Sequence, residues 1–277
     1  MSGTKWSQNI ITTDINGNTV NINNDLDAGK TVILDIFATW CLPCWTLHKS
    51  EVLKSLHQKY GVDGSNQLRI YSIEGDDRTT LDDLKGTSSL SLGNWLEGVT
   101  YSIINNHTFN AQLRIPGFSI LYMIRPDRTI LEVPVSMRLQ IPLWEAVIVN
   151  SIERNAMFSD LEIRPLSFCN SLKIPPLTGI NIGKVNITSV EIEVKRNGNS
   201  QIVPITMSQA IKSFEMMDIS LQNINIETTA EIEINYKSIN GLTIPKSNAA
   251  TIFTQYYKPT VADRKLKIEF TTDYHPA

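Results

Sequence analysis

A Cys-x-x-Cys pair that directly follows a short apolar run constrains the fold of this chain more than any other feature. The run from Thr31 to Ala38 is rich in β-branched and aromatic residues, which is typical of a strand covered on both faces. The cysteines are Cys41 and Cys44, and beyond them apolar residues recur three to five positions apart as far as Gly61. This spacing predicts a helix that ends at the glycine. The pattern thus predicts a buried strand that leads into a helix beginning at the cysteine pair.

The two cysteines are predicted to differ in reactivity. Cys41 lies at the predicted N-terminus of the helix, where unpaired backbone N–H groups and the helix dipole favour a thiolate. Pro43 suits the first turn, because its missing N–H is not needed there. Cys44 lies one turn further into the helix, so we expect it to be more buried. Cys41 is therefore predicted to be the exposed, acidic thiol and Cys44 the protected one.

The same pair is also compatible with a structural disulfide or with half of a zinc site. A zinc site needs two further ligands at similar spacing. His48 follows Cys41 by seven residues, but the chain has no second Cys-x-x-Cys pair. We favour redox thiols, with no metal ion and no organic cofactor implied. The remaining cysteine, Cys169, is expected to be a small buried apolar side chain, with a mixed disulfide to a partner as the alternative.

A single carboxylate interrupts the apolar strand. Asp35 stands between Leu34 and Ile36 and precedes Cys41 by six residues. A carboxylate in a central strand is costly unless it has a partner or a task. The alternative to a catalytic role is a hydrogen-bonded carboxylate that is only structural. We favour the catalytic role because of the offset from Cys41.

Asp35, Trp40, Cys41, Pro43 and Cys44 together resemble the active-site segment of thioredoxins. The resemblance implies that Cys41 attacks a substrate disulfide and that Cys44 resolves the mixed disulfide, helped by the buried Asp35. It also implies that Trp40 packs beside the thiols. The implied partner is a protein disulfide or dithiol substrate.

The following sequence resembles the TlpA-like thiol–disulfide oxidoreductases over roughly residues 5–157. Residues 118–130 are similar to the strand, turn and strand of that family, and Asn16-Gly17 predicts the hairpin with which such proteins begin. Short segments such as Glu74-Gly-Asp and Gly93-Asn-Trp resemble a subgroup found in secreted multidomain proteins of Bacteroidetes.

One departure from the family concerns the substrate-binding surface. The resemblance implies that Trp40, Pro43, Phe118 and Ser119 form this surface. In the family a cis-proline begins the second strand and faces the cysteine pair, but the aligned residue here is Ser119. Because a non-proline cis peptide bond costs about 3 kcal/mol, we expect a trans bond before Ser119 and a locally different loop.

The length of 277 residues favours two domains. Proline-marked segments at Arg164-Pro165 and Pro175-Pro176 predict a linker, and beyond them the hydrophobic period changes to two. About seven strands at short spacing predict a β-sandwich, which resembles the Ig-like CARDB-type modules of bacterial surface proteins. We predict an α/β thioredoxin fold over residues 1–158, with a central mixed sheet, flanking helices and an N-terminal β-hairpin. A linker over 159–176 and an all-β sandwich over 177–277 follow, and we expect each domain to fold on its own core.

Composition excludes several other classes of function. The net charge is −3, which favours neither nucleic acid nor a membrane surface as a partner. No apolar run is long enough to span a bilayer. The first residues contain no apolar signal core, so we expect a periplasmic or secreted protein whose signal peptide has been removed, or alternatively a cytoplasmic one.

Other polar residues are expected to be solvated. The acidic group Glu74, Asp76 and Asp77 is predicted to be a solvated loop rather than a metal site. The same expectation applies to the histidines, which are His48, His57, His107 and His275.

Two functions from different classes remain. The first is a thiol–disulfide oxidoreductase acting through Cys41 and Cys44. The second is a secreted or surface binding protein that keeps the fold with weak or no redox activity, which the loss of the family's proline at Ser119 would favour. Catalysed reduction of insulin separates the two.

Overall fold

A computed structural model describes most of the chain. The described residues are 4–105, 112, 117–135, 138–149, 153–159, 161–163, 166–168, 171–173, 175–221, 230–244 and 248–254. Cys169, His107 and His275 lie outside them. So do most of the helix predicted for Thr108 to Leu113 and the strand predicted for Lys265 to Phe270.

The first region is built on a five-stranded mixed sheet. Its strands and those of an N-terminal hairpin are β1 (Ile11–Thr13), β2 (Thr19–Asn21), β3 (Thr31–Phe37), β4 (Leu68–Glu74), β5 (Ser102–Asn105), β6 (Ile120–Ile124) and β7 (Ile130–Glu132). The sheet order is β5-β4-β3-β6-β7, with β3, β4 and β5 parallel and β6 and β7 antiparallel to their neighbours. The predicted mixed sheet and the hairpin, whose turn places Gly17 at a φ of 84°, are confirmed.

Five helices accompany this sheet. They are α1 (Ile22–Asp27), α2 (Leu42–Lys49), α3 (Val52–Tyr60), α4 (Leu81–Leu84) and α5 (Ile141–Ile148). Among the residues that the structure describes, no helix is long and apolar enough to cross a membrane.

The two faces of β3 have different surroundings because successive side chains of a strand point to opposite sides. Leu34 and Ile36 pack with the N-terminal hairpin and α1. On the other face, Ile33 packs with α3 and α5, and Phe37 packs with the cysteines. Asp35 shares this second face, between Ile33 and Phe37. The strand thus carries the carboxylate on the side that holds the cysteine pair.

The single helix expected after the cysteines is divided into α2 and α3. Glu51, at the break, has a left-handed φ of 60°, and the Ser50 hydroxyl donates to the carbonyl of Leu47 at 2.6 Å. The interval of five residues from Leu47 to Val52 does not fit a continuous helical face. The break lets α3 turn its own apolar side onto the sheet.

The second region consists of β-sheets. A three-stranded sheet contains β8 (Ala156–Phe158), β12 (Leu177–Asn181) and β15 (Met216–Ile219). A six-stranded sheet contains β9 (Glu162–Ile163), β13 (Ile187–Arg196), β14 (Asn199–Ile211), β16 (Ala230–Ile239) and β18 (Ala249–Thr254), with β17 (Leu242–Thr243) paired to β16. The two sheets share one apolar cluster, in which the rings of Phe158 and Tyr236 stack at 4.2 Å.

The connection between the regions contains regular secondary structure. Residues 159–176 contain β9 and a hairpin of β10 (Leu166–Phe168) and β11 (Ser171–Lys173), where a linker was expected. The last helix of the first region, α5, ends at Ile148, and Ala156 to Phe158 form β8. The pairing of β8 with β12 supplies the reason, since it satisfies the backbone of this segment in a sheet.

The cores of the two regions are in contact with each other. One apolar cluster contains Leu143 and Trp144 of α5 together with Ile180, Ile182 and Phe214 of the second region. Because α5 is apolar on several sides, it packs between the sheet of the first region and these residues.

Arg125, which follows β6, strengthens this contact. Its buried guanidinium donates to the carbonyls of Ile182 and Gly183 and to the hydroxyl of Ser213. It also lies over the ring of Phe214, 4.0 Å from the centroid. The two regions are therefore joined by apolar packing and by a hydrogen-bonded cation.

Candidate active site

The cysteine pair lies where β3 passes into α2. Cys41 is the N-cap residue of α2, and the backbone N–H of Cys44 is directed at its sulfur at 3.4 Å. The two cysteines form a disulfide, with 5.3 Å between their Cα atoms. Pro43 lies in the first turn, as predicted, and its side chain is exposed. The Cys44 N–H, in the first turn of α2, thus points towards the sulfur that the sequence analysis assigned as the nucleophile.

The predicted difference in exposure between the two cysteines is not seen in this disulfide form. Cys41 is 4% exposed and Cys44 is 3% exposed. Both belong to a cluster with Phe37 and Trp95, and Phe118 packs against it. The sequence prediction considered only the open end of the helix, whereas aromatic side chains from other elements cover both sulfurs.

Trp40 marks the solvent side of the pair. Its side chain is 48% exposed, and its ring meets that of Phe118 edge-on at 5.8 Å. The indole Nε1 donates to Oδ2 of Asp76 at 2.5 Å. Trp40 is therefore held by a carboxylate on one side and by an aromatic ring on the other, directly before Cys41.

Two members of the acidic group at the end of β4, Glu74 and Asp76, are buried, whereas Asp77 is solvated as predicted. Glu74 is fully buried, and it accepts hydrogen bonds from the Thr79 hydroxyl at 2.7 Å and from the Asp76 N–H at 3.1 Å. Burial raises the pKa of Glu74 to about 7. Hydrogen bonds from the Arg78 guanidinium and from Trp40 hold the pKa of Asp76 well below its usual range. No cluster of metal-ligating side chains occurs among the described residues.

The segment that includes α4 closes over the cysteines from another direction. The Trp95 ring stacks on Phe37 with centroids 4.6 Å apart, and its Nε1 donates to the carbonyl of Thr39 at 3.2 Å. Gly93 lies so close to Trp45 that an added Cβ would be 2.6 Å from the indole ring. The glycine thus allows the segment to approach α2, and the cover of the disulfide depends on this approach.

Two histidines that were expected at the solvated surface are partly or fully covered. His48 stacks on Trp45 at 5.1 Å, and burial, with the nearby charges of Lys54 and Lys49, lowers its pKa to about 4. His57 is buried, and its Nδ1 lies 2.9 Å from the Thr100 hydroxyl oxygen. His48 and His57 lie on the inner sides of α2 and α3, which explains why the prediction of solvated side chains is wrong for them.

Asp35 lies in a buried polar group on the cysteine side of the sheet. It is 8% exposed, and its Oδ2 accepts a hydrogen bond from Ser72 at 2.9 Å, while its Oδ1 has no hydrogen-bond partner. Burial raises the pKa of Asp35 to about 6, and Ser72 and the positive charge of Arg138 partly oppose this effect. Burial and the neighbouring Asp35 also raise the pKa of Tyr101. A carboxylate of this kind can exchange a proton near neutral pH.

The loop at Ser119 corrects another expectation. The Phe118–Ser119 peptide bond is cis, although a trans bond was predicted. That prediction considered only the local preference of the peptide. It did not include Arg138, whose guanidinium donates to the Ser119 hydroxyl and to the Ser119 carbonyl, each at 2.8 Å.

Sequence reasoning missed two polar neighbours of Asp35. Ser72 is opposite Asp35 in the register of β3 and β4, and the sequence analysis did not consider this register. Arg138 comes from a connection more than 100 residues after Asp35, and no signal in the chain links it to this site. Only the alternation of β4, combined with a known sheet register, could have indicated Ser72.

No family model matches the chain, and no curated protein matches it. Several solved structures are similar to about half of the chain. The thioredoxin domain of a thiol-disulfide oxidoreductase from Bacteroides vulgatus is 20% identical, with a TM-score of 0.38, covering 53% of this chain and 98% of that one. A putative protein disulfide isomerase from Bacteroides thetaiotaomicron is 16% identical, with a TM-score of 0.41, covering 54% and 91%. A thiol:disulfide interchange protein from a Bacteroides species is 18% identical, with a TM-score of 0.37, covering 55% and 92%.

Proposed function

We propose that this protein is a thiol–disulfide oxidoreductase that exchanges disulfides with protein substrates through Cys41 and Cys44. The observation that carries the proposal is the disulfide at the N-terminus of α2, directly after a strand that holds Asp35 on the same side. The chemistry of the exchange requires only these thiols and a proton acceptor, so the proposal includes no metal or organic cofactor.

The exchange proceeds in two displacements from the reduced protein. The Cys41 thiolate attacks a substrate disulfide, forms a mixed disulfide and releases one substrate thiolate. Asp35 then accepts the proton of the Cys44 thiol, and the Cys44 thiolate attacks the sulfur of Cys41. The second substrate thiolate leaves, the Cys41–Cys44 disulfide is restored, and the proton passes to the products. The reverse sequence oxidises a substrate dithiol.

The substrate-binding surface in this proposal consists of Trp40, Pro43, Phe118 and Ser119. Trp40 and Pro43 are exposed beside the pair, and Phe118 touches both Trp40 and the cysteine cluster. Apolar rings next to the disulfide suit an extended polypeptide, which can place its own sulfur against Cys41.

The test is the catalysed reduction of insulin by dithiothreitol, with the reduction potential measured on the same samples. We expect the parent protein to accelerate the reaction, and Cys41→Ser to remove the acceleration. Cys44→Ser should trap mixed disulfides that mass spectrometry detects. If the parent and Cys41→Ser proteins reduce insulin at the same rate, the proposal is wrong.

The burial of both sulfurs supports a second candidate. A disulfide with both cysteines less than 5% exposed is also suited to a binding protein of weak or absent redox activity. In that case the parent protein would react slowly with insulin and with small disulfides alike.

We further propose that the second region is an Ig-like module and that the protein works in the periplasm or outside the cell. The two packed sheets of the second region support the first statement. The second rests on the sequence resemblance, and fractionation of cells that produce the protein tests it.

A further inference from the structure

Arg138 has an unusual position for a charged side chain. It is 7% exposed, and its Nε is buried without a hydrogen-bond partner. Its carbonyl accepts a hydrogen bond from Trp144 at 2.9 Å, and its N–H donates to the carbonyl of Val135 at 3.3 Å. A buried guanidinium with an unsatisfied nitrogen costs free energy, so its remaining contacts must offset this cost.

The contacts of the guanidinium point to the loop beside the disulfide. One terminal nitrogen donates to the Ser119 hydroxyl and the other to the Ser119 carbonyl. A planar fork can hold both groups at once, whereas a lysine offers only a point charge. Phe118, the neighbour of Ser119, packs against the cysteine cluster. The arginine thus fixes the backbone next to the sulfurs.

Arg138 is also brought towards Asp35 by the pairing of β6 with β3. Leu121 is opposite Asp35 in this register, and Ser119, which Arg138 binds, precedes Leu121 by two residues. The groups that face Asp35 are Ser72 from β4, Tyr101 before β5 and Arg138 after β7. Arg138 supplies the positive charge, which opposes the effect of burial on the Asp35 carboxyl. Arg138 in turn is influenced by Asp35 and by Glu132 on β7, while its burial lowers its own pKa.

We propose that Arg138 is a positioning residue that joins two parts of the exchange site: it fixes Ser119 in the substrate-binding loop, and it keeps Asp35 ionised so that Asp35 can accept the proton of Cys44. This inference rests on the proposed function. Both tasks depend on the same guanidinium, so a change of side chain at residue 138 affects loop and carboxylate together unless the charge is kept.

Two substitutions separate the tasks in the full chain. Arg138→Lys keeps the charge and removes the fork, whereas Arg138→Met removes both. Arg128, whose guanidinium contacts Asn23 and Asp27 on α1, offers the matched control Arg128→Lys. Near-UV circular dichroism of the oxidised proteins shows whether each variant folds. If a variant does not fold, Ser119→Ala is used in its place, because it removes only the hydroxyl that accepts a hydrogen bond from Arg138.

Carboxyl NMR titration of the oxidised protein tests the effect on Asp35 without any turnover. We expect the midpoint of Asp35 to move upward in Arg138→Met, and to stay near the parent value in Arg138→Lys, Ser119→Ala and Arg128→Lys. An unchanged midpoint in Arg138→Met would overturn the inference. Because this measurement needs no activity, it remains valid if the proposed function fails.

Hydrogen exchange and kinetics test the effect on the loop. We expect amides of residues 117–121 to exchange faster in Arg138→Lys, and to a smaller extent in Ser119→Ala. The ratio of insulin rate to small-disulfide rate should fall roughly tenfold in Arg138→Lys, because a misplaced loop impairs the larger substrate more. Parent-like exchange in Arg138→Lys would overturn the inference. A parent protein that reduces neither substrate would instead overturn the proposed function.

Discussion

The two regions of this protein differ in what they bury. Every buried carboxylate and guanidinium that the structure describes lies before residue 139, and these residues are Asp14, Asp35, Glu74, Asp76, Asp83, Arg125 and Arg138. The described core of the second region is an apolar cluster of aliphatic and aromatic side chains. Since buried charges reduce stability and apolar packing increases it, the comparison contrasts a region that buries charged side chains with one whose described core is apolar.

The shared cluster around α5 connects these two kinds of core. Trp144 is fully buried there, and its indole donates to the carbonyl of Arg138. Ile180 and Ile182 belong to the same cluster. The apolar region thus packs against the helix that lies behind the polar site.

The largest expected effect follows from removing this packing. Trp144→Ala should lower the free energy of unfolding by about 3–5 kcal/mol, since it deletes a large buried side chain. Guanidinium chloride unfolding, followed by circular dichroism, measures the change. Val149→Ala, at the exposed C-terminal end of the same helix, should change it by less than about 0.5 kcal/mol. If unfolding of the second region proceeds at an unchanged midpoint, the two regions are independent.

The second prediction concerns the chemistry of the first region. Asp35→Asn should slow the resolution of mixed disulfides about 100-fold at pH 7, because Cys44 loses its proton acceptor. Formation of the mixed disulfide should change much less. Single-turnover kinetics with a chromogenic disulfide separates the steps, and Asp77→Asn, at an exposed carboxylate, is the control. Equal resolution rates in Asp35→Asn and the parent would make Asp35 purely structural.

Although Asp35→Asn should slow the resolution of mixed disulfides, it should increase the stability of the folded protein at high pH. The folded pKa of Asp35 is raised to about 6, so its contribution is fully present below about pH 4 and is lost as the pH rises through the folded pKa. Stability of the parent should therefore fall over this range, and the raised pKa of Glu74, about 7, extends the fall.

Asp35→Asn removes the contribution of residue 35 to this pH dependence of the free energy of unfolding. At pH 8 we expect the oxidised variant to be more stable than the parent by about 2 kcal/mol. Urea unfolding at several pH values gives the two curves. Parallel curves for variant and parent would show that the burial of Asp35 is compensated elsewhere.

The smallest expected effect belongs to the second region. Ile192→Val, in the centre of β13, should cost about 0.5–1.5 kcal/mol, and this loss should be independent of pH because only apolar neighbours are involved. Exchange kinetics should be unchanged. A loss that varies between pH 5 and pH 8 would contradict the contrast between the two regions.

Local patterns predicted much of the fold. The apolar run and the cysteine pair were sufficient to predict β3 and the start of α2. The glycine at residue 61 predicted where the helical segment ends. Asn16-Gly17 predicted the hairpin, and the alternation from Val190 to Lys195 predicted most of β13. These features were predictable because their physical causes act between residues that are close together in the chain.

The surroundings of the disulfide could not be predicted in this way. Trp95 reaches Cys41 from a segment more than 50 residues away, and Arg138 reaches Ser119 from beyond the last strand of the sheet. Ser72 meets Asp35 only because of the register between β3 and β4. Each of these contacts depends on how separate elements pack.

The sequence by itself therefore determined the cysteine pair, the strand and helix that present it, and the carboxylate in that strand. Tertiary structure alone decided that both sulfurs are covered, that Arg138 binds Ser119, and that α5 packs against both regions. The physical reason is the difference between backbone propensities, which are local, and burial, which depends on the side chains that distant segments bring to the same place.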